Sequence, residues 1–414
     1  MKSIVVISEF NPFHNGHAHL LSAIRKEYGS DALVSAIMSG WYVQRGDIAI
    51  ASPYTRAEMA LRAGFDLVLE LPFPYSISSA QDFASAGVSL ASRLSCFDVL
   101  AFGSESNDIN RLLRLGELRA SDAFRQLVNT ILRETDEGKK LGFPSLAREA
   151  LRIREGDPSL SLLPNDTLAI EYVRAIKECG SSLAPHPFRR VGDGYESTSP
   201  EHPSITSAGA IRPLLNIRNY ANIERYIQAE TFSPLKQDLD ELLAPTQISR
   251  RLSDAILAFF IALSEDDFSH FDSEGSSEGE LVRRIALAAR DSLNLDDLLR
   301  RVSAKSHSDA YVRRVVLRAF LGVTSSETRT PALYTRVLGF SDRGRALLRV
   351  AKRNGSVSLL TKTADYSSLP APAARQAARS LAADRLCFMA MPDPRPASDA
   401  YRGTPRHIRS VLPE

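Results

Sequence analysis

Residues 3–20 read SIVVISEFNPFHNGHAHL, and three kinds of text follow one another inside that stretch. Ile4-Val5-Val6-Ile7 is an apolar, β-branched run, the composition of a strand buried on both faces as in a parallel sheet. From His17 onward Leu20, Leu21 and Ile24 fall at helical spacing, and the pattern stops at Glu27 and Tyr28 before Gly29. Between them, Asn11-Pro12-Phe13-His14-Asn15-Gly16-His17 is too polar and too rich in breakers for either element. A strand feeding a tight turn and then a helix sets free backbone N–H groups and a positive dipole end at a sheet's carboxyl edge. Phosphate binds at such a place.

His14 and His17, with Gly16 between them, spell H-x-G-H. Two imidazoles at a helix start donate hydrogen bonds to a phosphoryl group as charge builds on it. The glycine removes a side chain that would keep a nucleotide away. This suits displacement at a nucleotide phosphate, which needs positioning and electrostatics rather than a covalent nucleophile. An isolated H-x-x-H is more often polar surface; directly after an apolar strand, the functional reading leads. Zinc is the weaker reading. His19 sits two residues past His17 and on a helix points away from it. No cysteine lies nearby, and the i, i+4 spacing of a helical zinc pair is absent.

Working outward, residues 1–105 alternate strand and helix. Apolar runs at 33–38, 66–71 and 97–102 are separated by helical patterns near 55–63 and at 80–94. Such alternation predicts a parallel, doubly wound α/β sheet with ligand at the carboxyl ends of its strands. HNGH, SGWYVQRGD, PFPYS and GSES all fall there. Arg45 reads equally as a phosphate ligand and as a solvated loop cation, and Gly103 as a strand-ending turn or a close approach to adenosine. Residues 107–155 are mostly helical with a polar connection at 134–140. Pro164-Asn165-Asp166 opens a further helix with Asn165 or Asp166 as cap. An extended segment at 183–191 carries Arg190, and another helix begins around Ser207. Beyond 215 the strands thin out into helical spacing, and 265–279 reads as a mobile acidic, serine-rich loop.

At 414 residues the chain exceeds one ordinary core, so two or three domains are expected. Its 44% apolar and 24% charged residues are those of a soluble globular protein. No run approaches the length of a membrane helix, and three scattered cysteines point to reduced thiols in the cytoplasm. The net charge of +2 hides an asymmetry. Residues 301–414 hold 20 Lys and Arg against 8 Asp and Glu, a net of +12, which leaves −10 for residues 1–300. A basic part this lopsided points to a polyanion, nucleic acid first. Residues 311–318 read as an amphipathic helix with an arginine face, and 334–340 with 343–349 as a second basic stretch. Alone these are solvated helix faces; the charge turns them toward RNA phosphates, which set affinity rather than base choice. The proline- and arginine-rich end reads as an arm or a tail.

The string EFNPFHNGH resembles that of the bacterial tRNA(Met) cytidine acetate ligase family, within the nucleotidylyltransferase superfamily that includes class I aminoacyl-tRNA synthetases. MSGWYVQRGDIAI, YTRAEMALRAGFDLVLELPF, AFGSES, GFPSLARE, PNDTLAIEYVRAI, SAGAIR and YTRVLGFSDRGRALL continue the likeness along nearly the whole chain. The resemblance implies a Rossmann-like sheet of the HxGH type in an ATP-binding domain over 1–215. A mainly helical, basic tRNA-binding region over 216–414 follows. It implies that acetate attacks the α-phosphate of ATP to give acetyl-adenylate, and that the N4 amine of the wobble cytidine in elongator tRNA(Met) takes the acetyl group. The implied ATP site comprises Ile7, Ser8, Glu9, Phe10, Asn11, Pro12, Phe13, His14, Asn15, Gly16, His17 and Leu20, with Gly103, Asn165 and Arg190. Ser207 and Arg212 match the signature placed over the phosphates and join the histidines as catalytic candidates. Mg²⁺ is expected with the triphosphate, and no metal ligand is assigned. Gly209, Trp41 and Leu20 depart from the family's usual hydroxyl residue, asparagine and histidine. Two other functions stay open: a small-molecule nucleotidylyltransferase, and a tRNA-binding protein with a degenerate nucleotide pocket.

Overall fold

Alternation along β1 (Ser3–Ser8) sends Val5 and Ile7 into one apolar core and Ile4 and Val6 into another, because successive strand side chains point to opposite faces. The computed structural model describes residues 1–134, 143–157, 160, 162–192, 204–241, 250–271, 278–303, 307–324, 326–391, 396 and 403–409. The described strands continue as β2 (Leu33–Ser39), the short pair β3 (Tyr42–Val43) and β4 (Asp47–Ile48), β5 (Leu67–Leu71), β6 (Val99–Ser104), β7 (Ala184–Arg189), β8 (Tyr334–Ser341), β9 (Ser358–Leu360) and β10 (Arg406–Ile408). Among the described residues the main sheet runs β10-β8-β5-β2-β1-β6-β7, with β9 on β8, while β3 and β4 form a hairpin of their own. All of its pairings are parallel except β5 with β8. The order reverses between β1 and β6, and at such a switch point a crevice opens above the carboxyl ends.

The helices wind over both faces. α1 (Asn15–Tyr28) and α2 (Pro53–Arg62) cover the Ile4/Val6 face. α3 (Ala80–Leu94), α4 (Ile109–Ala120), α5 (Asp122–Glu134), α6 (Phe143–Glu155) and α7 (Pro164–Glu178) cover the other. α8 (Ala208–Asn216), α9 (Tyr220–Ile223) and α10 (Ala229–Asp240) return to the first face. A third core joins α11 (Arg250–Ala262), α12 (Glu265–Phe268), α13 (Glu278–Ala289), α14 (Leu295–Val302) and α15 (Asp309–Phe320). α16 (Gly344–Asn354) goes back to the sheet, and α17 (Ala371–Cys387) closes the third core. Among the described residues no helix is long and apolar enough to cross a membrane.

Several expectations are corrected. Residues 334–340 are not a solvated helix face but most of β8, which pairs with β5 at Leu67↔Phe340 and Val68↔Gly339. Sequence beyond 216 therefore supplies three strands of the sheet besides the helical part. The charge that made this stretch look exposed belongs to Arg336, which is buried between Glu70 and Asp384, the latter at 2.6 Å. The arginine face of α15 is likewise engaged by the protein, Arg318 inside it and Arg313 in a surface pair. Arg318 pairs with Glu278, Arg313 with Asp309 at 2.8 Å, and Arg314 donates to the Gln44 carbonyl at 3.1 Å. Arg343 donates to the carbonyls of Asp31 and Ala32 before β2. It lies at the sheet's amino edge, away from the crevice. Arg345, Arg349, Lys352 and Arg353 on α16 are exposed. Residues 265–271 form α12 and a 3-10 turn rather than a mobile loop; 272–277 lie outside the described residues, as do 135–140 and most of the polar stretch after Gly192.

Replacing Arg336 by Met leaves Glu70 and Asp384 buried without their cation. Removing one partner of a buried ion pair costs about 3–5 kcal/mol, so Arg336→Met is expected to lower the unfolding free energy read from denaturant titration by that much. A loss below about 1 kcal/mol, typical of exposed pairs, would contradict the burial.

Candidate active site

The turn after β1 is built by its own two histidines. His14 is the N-cap of α1, and its Nδ1 accepts the Gly16 amide at 3.0 Å. His17 returns the contact: its Nδ1 accepts the His14 amide at 3.2 Å. This is a capping box in which both hydroxyl and carboxylate of the usual pair are replaced by imidazoles. The rings sit 4.0 Å apart between centroids. Gly16 is required for it, since a Cβ there would lie 2.8 Å from His14 Cε1. Because each Nδ1 accepts, each ring carries its proton on Nε2, the donor left for a ligand. Burial lowers His14 to about 3, with Arg190 and Arg212 adding repulsion; burial also takes His17 well below the ordinary histidine value. Both rings are neutral donors.

The start of α1 differs from the sequence expectation. Its amides are not free: Asn15 donates to the Tyr226 carbonyl at 2.8 Å, and His17 and Ala18 donate to the His14 carbonyl. The free amides lie on α8 instead. Ser207 is its N-cap and accepts Ala210 N–H at 3.1 Å. The amides of Ala208 and Gly209 border the same cleft as the histidines and take no acceptor among the described residues. Gly209 thus offers a backbone donor where a hydroxyl was missing. Thr206, next to them, is buried with its Oγ1 lacking a partner in the described structure. Nothing in its spacing marked it.

One cleft brings together Ile7, Ser8, Glu9, Phe10, Asn11, His14, Gly16, His17, Leu20, Gly103, Asn165, Arg190, Ser207 and Arg212. Pro12, Phe13 and Asn15 do not line it. Phe13 is core, packing with Phe10 at 5.0 Å and behind His17 at 5.4 Å. Asn15 Nδ2 instead holds the carbonyls of Ser204 and Arg225, at 2.9 and 3.1 Å. Arg212 reaches back from α8 to the Asn11 carbonyl at 3.1 Å. Neither Asn165 nor Asp166 caps α7, whose N-cap is Leu163. Glu105 does that work, accepting the Asp166 amide at 2.8 Å and the Asn165 side chain at 2.6 Å, while Arg190 donates to Asn165 Oδ1 at 3.1 Å. Gly103 leaves room for the Arg190 stem, 3.1 Å from where a Cβ would stand. His19 also borders the cleft.

Two residues that the sequence reading passed over hold this arrangement. Arg56 is wholly buried and ties three loops, donating to the carbonyls of Glu9 at 2.6 Å, Ala51 at 3.1 Å and Gly40. An arginine amid the apolar residues of α2 was its only signal. Gln44, on the β3–β4 hairpin, lines the cleft beside Arg45 and gives its amide to Glu9 Oε1 at 2.5 Å. Burial raises the Glu9 carboxyl against the pull of Gln44, Arg212, Arg45 and Arg56. Trp41 faces away from the cleft, buried against Phe388.

Residues 1–400 match the family model described as HIGH nucleotidyl transferase. The tRNA(Met) cytidine acetate ligase of Caldanaerobacter subterraneus subsp. tengcongensis is 32% identical over 377 residues, covering 89% of this chain and 90% of that protein. That of Fervidobacterium nodosum is 31% identical over 89% of this chain and 86% of its own. Crystal structures of Thermotoga maritima TmcAL, 27% identical, superpose over 99% of this chain and all of theirs. The TM-score is 0.89 for the apo form and 0.85 for the form bound with alpha-thio ATP.

The histidine tautomers are testable. In ¹⁵N spectra both rings are expected as Nε2–H and neutral from about pH 8 down to about pH 5, below the ordinary value of ~6.5. Between about pH 6.5 and 3 the native His14 ring binds fewer protons than the unfolded one. Stability is therefore full above about 6.5 and is lost as pH falls from there toward 3. A titration of His14 near pH 6.5 would contradict the capping geometry.

Proposed function

The chain belongs to the HIGH nucleotidyl transferase family and, within it, to the tRNA(Met) cytidine acetate ligases, and from that premise we propose that it activates acetate with ATP and acetylates a cytidine of tRNA. In the first step an acetate oxygen attacks the α-phosphorus, the bond to the β-phosphate breaks, and pyrophosphate leaves. In the second, the N4 amine of the wobble cytidine of elongator tRNA(Met) attacks the acetyl carbonyl. AMP departs and the amine loses a proton. Residues 1–215 supply the nucleotide site, and the part after 216 faces tRNA.

The observation that carries this reading is the pair of neutral Nε2–H donors beside Arg190 and Arg212 in one cleft. Neutral imidazoles held by the backbone donate to a phosphoryl oxygen without reorganising, and preorganised donors stabilise charge that grows in the transition state. Arg212 and the α8 amides suit the β- and γ-phosphates. Gly103, Asn165 and Arg190 border the β6–β7 side of the cleft and would take the nucleoside. The chemistry asks for no general base if acetate attacks as the anion, and the alpha-thio ATP seen on Thermotoga maritima TmcAL agrees with a nucleotide here.

Mg²⁺ fits the nucleotide rather than the protein. Among the described residues no three His, Cys, Asp or Glu side chains gather as a metal cage. Glu9 is the carboxylate that borders the cleft, and it is already engaged by Gln44. We assign Mg²⁺ no protein ligand and route no step through it.

Acetate-dependent ATP–pyrophosphate exchange tests the first step. His17→Ala is expected to lower exchange by about 10²–10³-fold, the usual cost of one preorganised donor. Labelled acetate should then appear on tRNA(Met). Exchange driven by another small substrate would favour a nucleotidylyltransferase, and tRNA binding without exchange a degenerate pocket.

A further inference from the structure

The β3–β4 hairpin is built into two parts of the protein at once. Trp41, Tyr42 and Ile48 belong to the third core, with α11 and α13–α15, and Tyr42 donates to the Ala383 carbonyl at 2.8 Å. Its tip, Gln44 and Arg45, lines the cleft. Two contacts from α15 fix the tip from behind. Arg314 donates to the Gln44 carbonyl at 3.1 Å, and Gly46, at φ +75°, backs so closely on Arg313 that a Cβ would lie 2.7 Å from Arg313 Cβ. From the front, Glu9 takes the Gln44 amide. The backbone of Gln44 is thus held on both sides.

Its side chain is not. Gln44 Nε2 is buried with no hydrogen-bond acceptor in the described structure, a costly condition for a polar group unless a ligand completes it. The tip follows β2, on the side of β1 opposite β6 and β7. The nucleoside-side residues Gly103 and Arg190 end or follow those two strands, so the hairpin borders the other half of the switch-point crevice. Glu9, the acid that lines this cleft, is outnumbered by Arg45, Arg56 and Arg212, whose charges all act on it, and Arg212 and Arg313 also act on Asp47 of the same hairpin.

We propose that Gln44 Nε2 and Arg45 form a subsite for a small carboxylate, the nucleophile that attacks the α-phosphate and takes the adenylyl group, and that Arg314 is its positioning residue. This rests on the functional reading above only for naming the carboxylate as acetate. The amide and the guanidinium each donate to carboxylate oxygens, which a neutral acyl donor or a phosphate monoester would use differently. Arg314 touches no substrate. It acts by holding the Gln44 carbonyl, and a lysine at that place retains one donor for it.

The test is binding of ¹³C-acetate, followed by NMR with a non-hydrolysable ATP analogue present, on the full-length wild type, Gln44→Glu, Arg314→Ala and Arg314→Lys. Gln44→Glu keeps the shape and exchanges the donor for an anion. It is expected to weaken acetate by about 10-fold or more while the analogue's affinity changes less than about twofold. Arg314→Ala should weaken acetate in the same direction, with no change for the analogue, and Arg314→Lys should restore it. A merely structural role for Arg314 would move both ligands together, and that result overturns its assignment. Acetate that binds Gln44→Glu as it binds wild type overturns the subsite. Acetate binding that depends on Gln44, in a protein without acetate-dependent exchange, would leave the subsite standing and sink the proposed reaction instead.

Discussion

Everything at the cleft depends on the reciprocal capping of α1 by His14 and His17. A helix start leaves amides to be satisfied, and here the groups that satisfy them are the groups that line the cleft. Spending each Nδ1 on the backbone decides the tautomer, and burial with two nearby arginines decides the charge. The rings are therefore rigid, neutral and oriented before any ligand arrives. The positive potential comes from Arg190 and Arg212. Two requirements follow from the same contact: residue 16 must lack a Cβ, and Phe10 and Phe13 must fill the space behind His17.

The second constraint is the traffic between the sheet and the rest of the chain. β8 crosses from the far end of the sequence to pair with β5, carrying Arg336 to Glu70. Glu70 in turn packs against Gly40, where a Cβ would collide with its Oε1, and Arg56 binds the Gly40 carbonyl. The loop from Gly40 to Asp47 is thereby clamped at its root by buried charge and at its tip by α15. Buried ion pairs of this kind add little net stability but penalise alternatives in which a charge is left alone. Charge that seemed destined for RNA is in part structural. The remaining exposed cations of α16 start from the sheet edge opposite the cleft.

The fold was legible where one residue's environment follows from its neighbours in sequence. Ile4 to Ile7 read as a strand buried on both faces, and the helical period of Leu20, Leu21 and Ile24 as the helix after a turn. The alternation of such units gave the doubly wound sheet, and H-x-G-H marked its carboxyl edge. Reading failed where a polar group's partner is remote. Arg336, Arg318 and Arg314 looked like a surface because Asp384, Glu278 and the Gln44 carbonyl are 48, 40 and 270 residues away. Residues 265–271 looked like a loop because they carry no periodic apolar face, and the helix start is held instead by the capping box of Ser264 with Asp267.

By itself, then, the sequence determined the strand–turn–helix unit, the sheet class and the place of the two histidines on the turn, since these rest on local periodicity and on turn residues. Tertiary structure alone decided which arginines are free, that α8 rather than α1 presents open amides, that Glu105 caps α7, and that Gln44 reaches the cleft with an unsatisfied amide. Each of these is a question of which donor meets which acceptor across long stretches of chain. Backbone propensity carries no information about such pairings; only the packed fold, which must satisfy buried polar groups or pay for leaving them unpaired, settles them.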